Sequence, residues 1–349
     1  LLVFGLLRSA RYEASYLAVV WPPRWDELRR AQENLYVARA EQALQAGQYQ
    51  EAILSLEMVT QLNPGNYAAG LTLAGLSQVA GQPYVADHIY ERLMRDAPEQ
   101  RRATAQIWFR TLLARAAYPR IQTPSTVMLS EDPAERAVWL NALFFACRQT
   151  RDSTYLGTVL AQHPNLPEWC TELIGIEQML LSDHPDRALP RLIRIQRRPA
   201  SAYIPYYQID RLLRRGLIDQ ATTLLRAYER QLQPTEAAFL RLRSYQAKGW
   251  TSLVGSECES LLVYEMSPQL IAQYCAYLVK YPDPAIFARF SDRFTAAGIP
   301  VAAGTVSLHQ AVYLAAVLSG DAQRAEQIAA RITHYTASDA RVLRGLGEL

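Results

Sequence analysis

Side chains that could do chemistry are few and scattered along this 349-residue chain. The five histidines form no HExxH pair, and we find no GxSxG elbow, GxxxxGK[ST] loop or GxGxxG fingerprint. The four cysteines lie too far apart for a CxxC metal or redox motif; they are Cys147, Cys170, Cys258 and Cys275. We therefore predict no catalytic residue, no metal ion and no cofactor, and a protein that is not an enzyme.

The cysteines have a simpler interpretation as small apolar residues of a protein core, because a free thiol packs like a small hydrophobic side chain. A bridge between Cys258 and Cys275 is the alternative if the chain lies in an oxidising compartment.

Composition excludes several other classes of function. Half of the residues are apolar and a fifth are charged, which indicates a folded rather than a disordered chain. The net charge of +3 is too small to recruit nucleic acid by itself. One dense basic cluster exists, and its helical spacing predicts a solvated stripe; it comprises Arg191, Arg194, Arg197 and Arg198. We expect protein partners, no nucleic acid and no small-molecule substrate.

Prolines divide the chain at intervals of about 34 residues. Each marks a helix boundary, because proline lacks the backbone N–H and crowds the preceding turn. The evenly spaced set is Pro64, Pro98, Pro133, Pro164, Pro199, Pro234, Pro268 and Pro300.

Between the prolines, apolar residues recur with the period of a helix, and a glycine or polar pair lies midway. Gly47 and Ala52 return as Gly81 and Ala86. Each interval therefore predicts two antiparallel helices joined by a tight turn. One hairpin cannot bury both of its faces, so consecutive hairpins must stack.

This pattern resembles the tetratricopeptide repeat (TPR) family. Residues 33–66 match it with Tyr36, Ala40, Gly47, Tyr49, Ala52, Leu56, Val59 and Pro64, although Arg39 and Ala43 replace the usual leucine and aromatic residue. Residues 67–100 match equally well, and degenerate repeats follow over residues 132–340. The resemblance implies an all-α fold, a right-handed α-α superhelix of about eight or nine hairpins over residues 26–349.

One stretch interrupts the pattern. Pro119 and Pro124 lie in residues 118–131, where a second helix is due. We predict an irregular insertion there, either an eroded repeat that covers the groove or a segment that holds a partner.

The amino end, residues 1–25, is apolar and then aromatic and basic. It predicts either a membrane-proximal segment or an amphipathic helix that caps the first repeat. The membrane-proximal residues would be Leu1, Phe4, Leu7, Tyr16, Trp21 and Trp25. This predicts association with a bacterial inner membrane, on either side, with a cytoplasmic protein as the alternative.

Stacked hairpins leave one helix of each pair on a shared face that suits a partner helix or an extended peptide. We predict that this groove contains Val37, Glu41, Leu44, Leu71, Gly75, Gln78, Phe109 and Leu112. A second candidate surface comprises Tyr203, Tyr206, Tyr207 and Asp210, with core packing as its alternative.

Three functions remain open from the sequence. The first is a scaffold that assembles or stabilises a bacterial membrane or envelope complex. The second is a soluble peptide-binding adaptor or co-chaperone. The third is the helical body of an envelope enzyme whose catalytic domain is separate.

Overall fold

The computed structural model describes residues 25–182, 185–195, 201–302 and 304–333. Every regular element in these ranges is a helix, which confirms the predicted all-α fold. The chain divides into two compact units, and their described parts are residues 25–115 (unit 1) and 116–333 (unit 2).

The described part of unit 1 contains five α-helices, and short 3₁₀ turns occur in both units. The helices of unit 1 are α1 (Trp25–Gln45), α2 (Tyr49–Leu62), α3 (Tyr67–Val79), α4 (Pro83–Asp96) and α5 (Arg101–Ala114). The predicted repeats 33–66 and 67–100 thus contain two helices each, although α1 begins eight residues before the first of them.

Unit 2 continues the series with helices of similar length. They are α6 (Tyr118–Glu131), α7 (Arg136–Thr150), α8 (Ser153–Gln162), α9 (Glu168–Leu181), α10 (Leu189–Arg194), α11 (Tyr203–Arg214), α12 (Ile218–Tyr228), α13 (Pro234–Ala247), α14 (Thr251–Leu261), α15 (Pro268–Lys280), α16 (Pro284–Ala296) and α17 (Val306–Leu318). Residues 322–333 are also helical.

The small residues at the predicted helix contacts are buried. Ala52, Ala74 and Ala86 have no exposed surface, so the helices of unit 1 approach closely at these points. Glu33 of α1 accepts hydrogen bonds from the side-chain amides of Asn63 and Asn66, at 2.9 and 2.7 Å, and so fixes the α2–α3 connection.

A left-handed residue follows the first helix of most hairpins, because it lets the chain reverse within a few residues. At Gly47, Gly81, Gly216, Gly249 and Gly320 this residue is glycine, with φ between 69° and 77°. Ala116 and Arg151 occupy the same position with φ of 55° and 56°. The series of helical hairpins therefore continues through a region where the sequence has no glycine at the turns.

The predicted irregular insertion at residues 118–131 is wrong, because this stretch is the regular helix α6. Pro119 lies in the first turn, where a backbone N–H has no helical partner to lose. Pro124 removes one hydrogen bond inside the helix, but its ring is buried. Ile121 and Leu129 have no exposed surface, and burial of this face outweighs the missing bond.

The carboxyl part of unit 2 has a core rich in aromatic rings. Tyr274 of α15 stacks on Phe290 of α16 with their centroids 4.7 Å apart, and Phe287 and Phe294 pack beside them. All four cysteines are buried and unpaired, so the Cys258–Cys275 bridge is absent. Burial raises the pKa of each thiol to about 12.

Candidate functional site

A groove of about 570 Å³ runs along α13 in unit 2, between α11 and α15. These three helices are the first members of successive hairpins. The groove therefore lies on the surface that the first helices of the stacked hairpins form together. We call it the first-helix groove; its polar and aromatic lining residues are Tyr206, Arg214, Glu236, Phe239, Arg243, Gln273, Tyr277, Lys280 and Tyr281.

Two of the three cations in this groove are held from beneath by a buried carboxylate. Asp210 is 6% exposed, and its Oδ2 accepts a hydrogen bond from Nε of Arg214 at 2.8 Å. Its Oδ1 accepts from Nη1 of Arg243. Burial opposes ionisation of Asp210, but the charges of Arg243 and Arg214 outweigh it and lower the pKa of the carboxyl group. The carboxylate thus fixes both guanidinium groups beside the groove.

The third cation is different. The ammonium of Lys280 makes no ion pair with any described residue and lies 5.1 Å from the ring centroid of Tyr281. Among the described residues, Glu236 supplies the one carboxylate of the lining. Burial raises the pKa of Glu236, and the backbone N–H of Gln233 partly opposes this shift. The groove is therefore positively charged and bordered by three tyrosines.

A second charged cluster lies in the core near the groove. Glu177 of α9 has no exposed surface, and its carboxylate contacts Arg148 of α7 together with Tyr207 and Arg211 of α11. The Tyr207 hydroxyl donates to Oε2 of Glu177 at 2.7 Å. These contacts fix the register of three helices, and so position the α11 side of the groove.

The four residues of the second predicted surface lie in different places, and Tyr207 is buried in the core. Tyr206 lines the groove. Tyr203 packs 6.2 Å from the rings of Tyr206 and Tyr207, and burial raises the pKa of its hydroxyl. Asp210 is buried beneath the arginines and acts through them.

The groove residues predicted for unit 1 have varied exposure. Glu41 is exposed, and the half-buried residues are Val37, Leu44, Leu71, Gly75, Gln78 and Phe109. The prediction for Leu112 is wrong, because this residue has no exposed surface. It follows Trp108 by four residues and so shares the buried face of α5. Trp108 donates its indole N–H to the buried Asp87 at 2.8 Å.

Four important groove residues were not predicted from the sequence: Arg243, Tyr277, Lys280 and Tyr281. They come from α13, α15 and the residue after α15, whose repeats are degenerate. A signal did exist for Lys280, since it is one of only two lysines in the chain.

The helical hairpins resemble tetratricopeptide repeats. No protein-family model matches the chain, and no curated protein does. Among solved structures, a tetratricopeptide repeat protein from Parabacteroides merdae ATCC 43184 is 13% identical, with a TM-score of 0.36 over 66% of this chain and 91% of that one. The TPR domain of P58(IPK) is 15% identical, with a TM-score of 0.24 over 90% of this chain and 96% of that one. At these values neither structure informs on partner or activity.

Metal ligation has no support in the part of the chain that the structure describes. There, no three histidine, cysteine, aspartate or glutamate side chains converge on one point.

Most of the predicted membrane-proximal residues precede the described ranges. Leu1, Phe4, Leu7, Tyr16 and Trp21 lie outside them, and Trp25 is the exposed first residue of α1. None of the helices in the described ranges is both long and apolar enough to cross a bilayer.

Proposed function

We propose that this protein is a non-catalytic interaction scaffold that holds an acidic, extended segment of a partner protein in the first-helix groove. The observation that carries the proposal is the groove itself, which combines Arg214, Arg243 and Lys280 with three tyrosines.

Charge complementarity supports an acidic partner. Three cations surround the groove, and Glu236 is the single acid of its lining. Asp210 holds two of these cations in place from below, so little side-chain entropy is lost when a carboxylate binds to them. Lys280 supplies a charge that no described acid neutralises.

The aromatic residues favour a peptide over a free inorganic anion. Tyr206 and Tyr281 offer rigid apolar area with a hydroxyl at its edge, and tyrosine and arginine dominate binding energy at many protein interfaces. Tyr277 lies deeper in the wall, and its hydroxyl donates to Gln246 at 3.1 Å. A volume of about 570 Å³ accommodates several side chains of an extended segment.

A random copolymer of glutamate and tyrosine tests this proposal by isothermal titration calorimetry. We expect it to bind at low salt and to weaken as salt is added, because exposed charges are screened. The Tyr206→Ala and Lys280→Met variants should each weaken binding about tenfold.

Lys248→Met is the matched control, since Lys248 pairs with Asp219 at 2.9 Å and does not line the groove. It should bind the copolymer as the wild type does, whereas a copolymer of lysine and tyrosine should not bind any form. Equal binding by the Tyr206→Ala variant, or no binding by the wild type at low salt, would overturn the proposal.

We also propose that the scaffold serves a bacterial membrane or envelope complex. The support is the apolar and aromatic composition of residues 1–25, with a soluble adaptor as the alternative. Fractionation of cells that express the complete gene tests this: alkaline carbonate should leave the protein in the membrane pellet, and recovery in the soluble fraction would favour the adaptor.

A further inference from the structure

A larger cavity, of about 730 Å³, lies between α14 and α16 in unit 2. We call it the edge cavity, because the turn after α15 forms one side of it. Its inner surface is apolar and includes Val254, Cys258 and Tyr274, none more than 7% exposed. The volume lies within the range of about 300–1,000 Å³ that is usual for small-ligand sites.

The sequence around the edge cavity differs from that of the other hairpins. In the other hairpins with a glycine turn, the fifth residue after the glycine is alanine: Ala52, Ala86, Ala221 and Ala325. The corresponding residue of α14 is Val254, which has a larger side chain and lines the cavity. Gly255 follows, and a Cβ added there would meet no atom within 4 Å. The space beside Gly255 is thus open.

Four charged side chains lie around the edge cavity, and their partners differ. Arg289 forms an ion pair with Glu259. Asp283 caps α16, since its Oδ1 accepts the backbone N–H groups of Ala285 and Ile286 at 2.9 and 3.0 Å. Lys280 also lines this cavity, and its ammonium has no acidic partner among the described residues.

We propose that the edge cavity binds a small amphipathic anion, with an apolar aromatic or acyl body and one carboxylate or sulfonate group. The body lies against Val254, Tyr274 and Ile286, and the anionic group pairs with Lys280. Cys258 lines the same cavity as a protonated thiol at neutral pH, because burial raises its pKa to about 12.

The fluorescent probe 1-anilinonaphthalene-8-sulfonate has this chemistry and tests the proposal. We expect the folded protein to bind one equivalent in the cavity, with enhanced fluorescence. Gly255→Leu places a side chain in the open space and should weaken binding at least about tenfold. Lys280→Met should weaken it by a smaller factor, and added salt should weaken binding to the wild type.

Gly175→Leu is the matched control, because Gly175 is also half-buried inside a helix of unit 2 and an added Cβ would meet no atom within 4 Å. It should leave probe binding unchanged. Tyr206→Ala, which alters only the first-helix groove, should also leave it unchanged, so the two proposals fail independently. Thermal melting curves verify that each variant is folded. Equal binding by a folded Gly255→Leu protein, or unchanged binding by Lys280→Met, would refute the proposal.

Discussion

The guanidinium of Arg148 and the carboxylate of Glu177 form a two-point ion pair in the core of unit 2, with N–O distances of 2.7 and 3.1 Å. Burial lowers the pKa of Arg148, but the hydrogen bonds and charge of Glu177 outweigh this and raise that pKa above its usual value. The pair is stable because each buried charge has a partner, and Arg211 adds a second cation 3.4 Å from the same carboxylate.

We expect Glu177→Gln to lower the free energy of unfolding by about 3–5 kcal/mol, because half-buried Arg148 and buried Arg211 would lose the carboxylate that contacts both of them. Urea unfolding followed by circular dichroism measures this. Asp219→Asn is the control: it removes an exposed acid whose partner is Lys248, and the unfolding curve should hardly move. An unchanged free energy for Glu177→Gln would mean that the cluster does not contribute to stability.

Ala52→Arg should disrupt folding of unit 1. Ala52 has no exposed surface, so an arginine there would bury an unpaired charge at a close helix contact, at a cost of several kcal/mol. Leu54→Arg, two residues along the same helix, is the control because Leu54 is 56% exposed. Thermal melting should show a large loss for the first variant only, and equal melting of both would contradict the packing of α2.

Arg151→Gly should stabilise unit 2 by about 0.5–1 kcal/mol. Arg151 ends α7 in the left-handed region, which costs a non-glycine residue about 1–2 kcal/mol, and the extra chain entropy of glycine offsets part of the gain. Gly216→Ala is the reverse experiment at an equivalent turn with φ of 76°, and it should lower the unfolding free energy. Equilibrium unfolding in urea measures both free energies. A change of the same sign in the two variants would contradict the prediction.

Stability should also depend on pH through His309. This residue is 1% exposed, and its ring lies 5.1 Å from that of Phe294. Burial lowers the pKa of the imidazole, the carbonyls of Pro300 and Ile299 oppose the shift in part, and the charge of Arg331 adds to it. The folded state therefore holds the neutral ring, and the unfolded chain binds a proton more readily.

The stabilising contribution of His309 is thus complete above its unfolded pKa of about 6.5 and decreases as the pH falls below that value. Urea unfolding between pH 5 and 8 should show this loss of stability. The His309→Leu variant should have a free energy of unfolding that depends less on pH. His88→Gln is the control, because His88 is exposed on α4. If His309→Leu kept the wild-type slope, another group would be responsible.

The turns show how far sequence alone leads in this protein. Gly47 and Gly81 predict their hairpins because glycine is the usual left-handed residue. Ala116 and Arg151 adopt the same conformation although their residue types disfavour it, and the local sequence does not predict these turns. Helix α6 could not be predicted for a related reason. Pro124 predicts a break in the helix, and only the burial of neighbouring side chains in the folded protein overrides that preference.

Prediction of the site has a different limit. Helical spacing places Tyr206 on a face, but whether that face is core or surface depends on which helix packs against it. Leu112 and Tyr206 both looked like surface candidates, and only the packed structure separates the buried residue from the groove residue. The edge cavity could not be predicted from the sequence either, since its lining comes from several helices and a turn that only the packed structure brings together.

Lys280 lines both the first-helix groove and the edge cavity. One ammonium group cannot pair fully with an anion in the groove and with a second anion in the cavity at the same time. Under the two proposals, a small anion bound in the edge cavity would weaken binding of an acidic partner in the groove, and the partner would weaken binding of the small anion by the same factor. This single side chain would then allow a small molecule to release a protein from the scaffold.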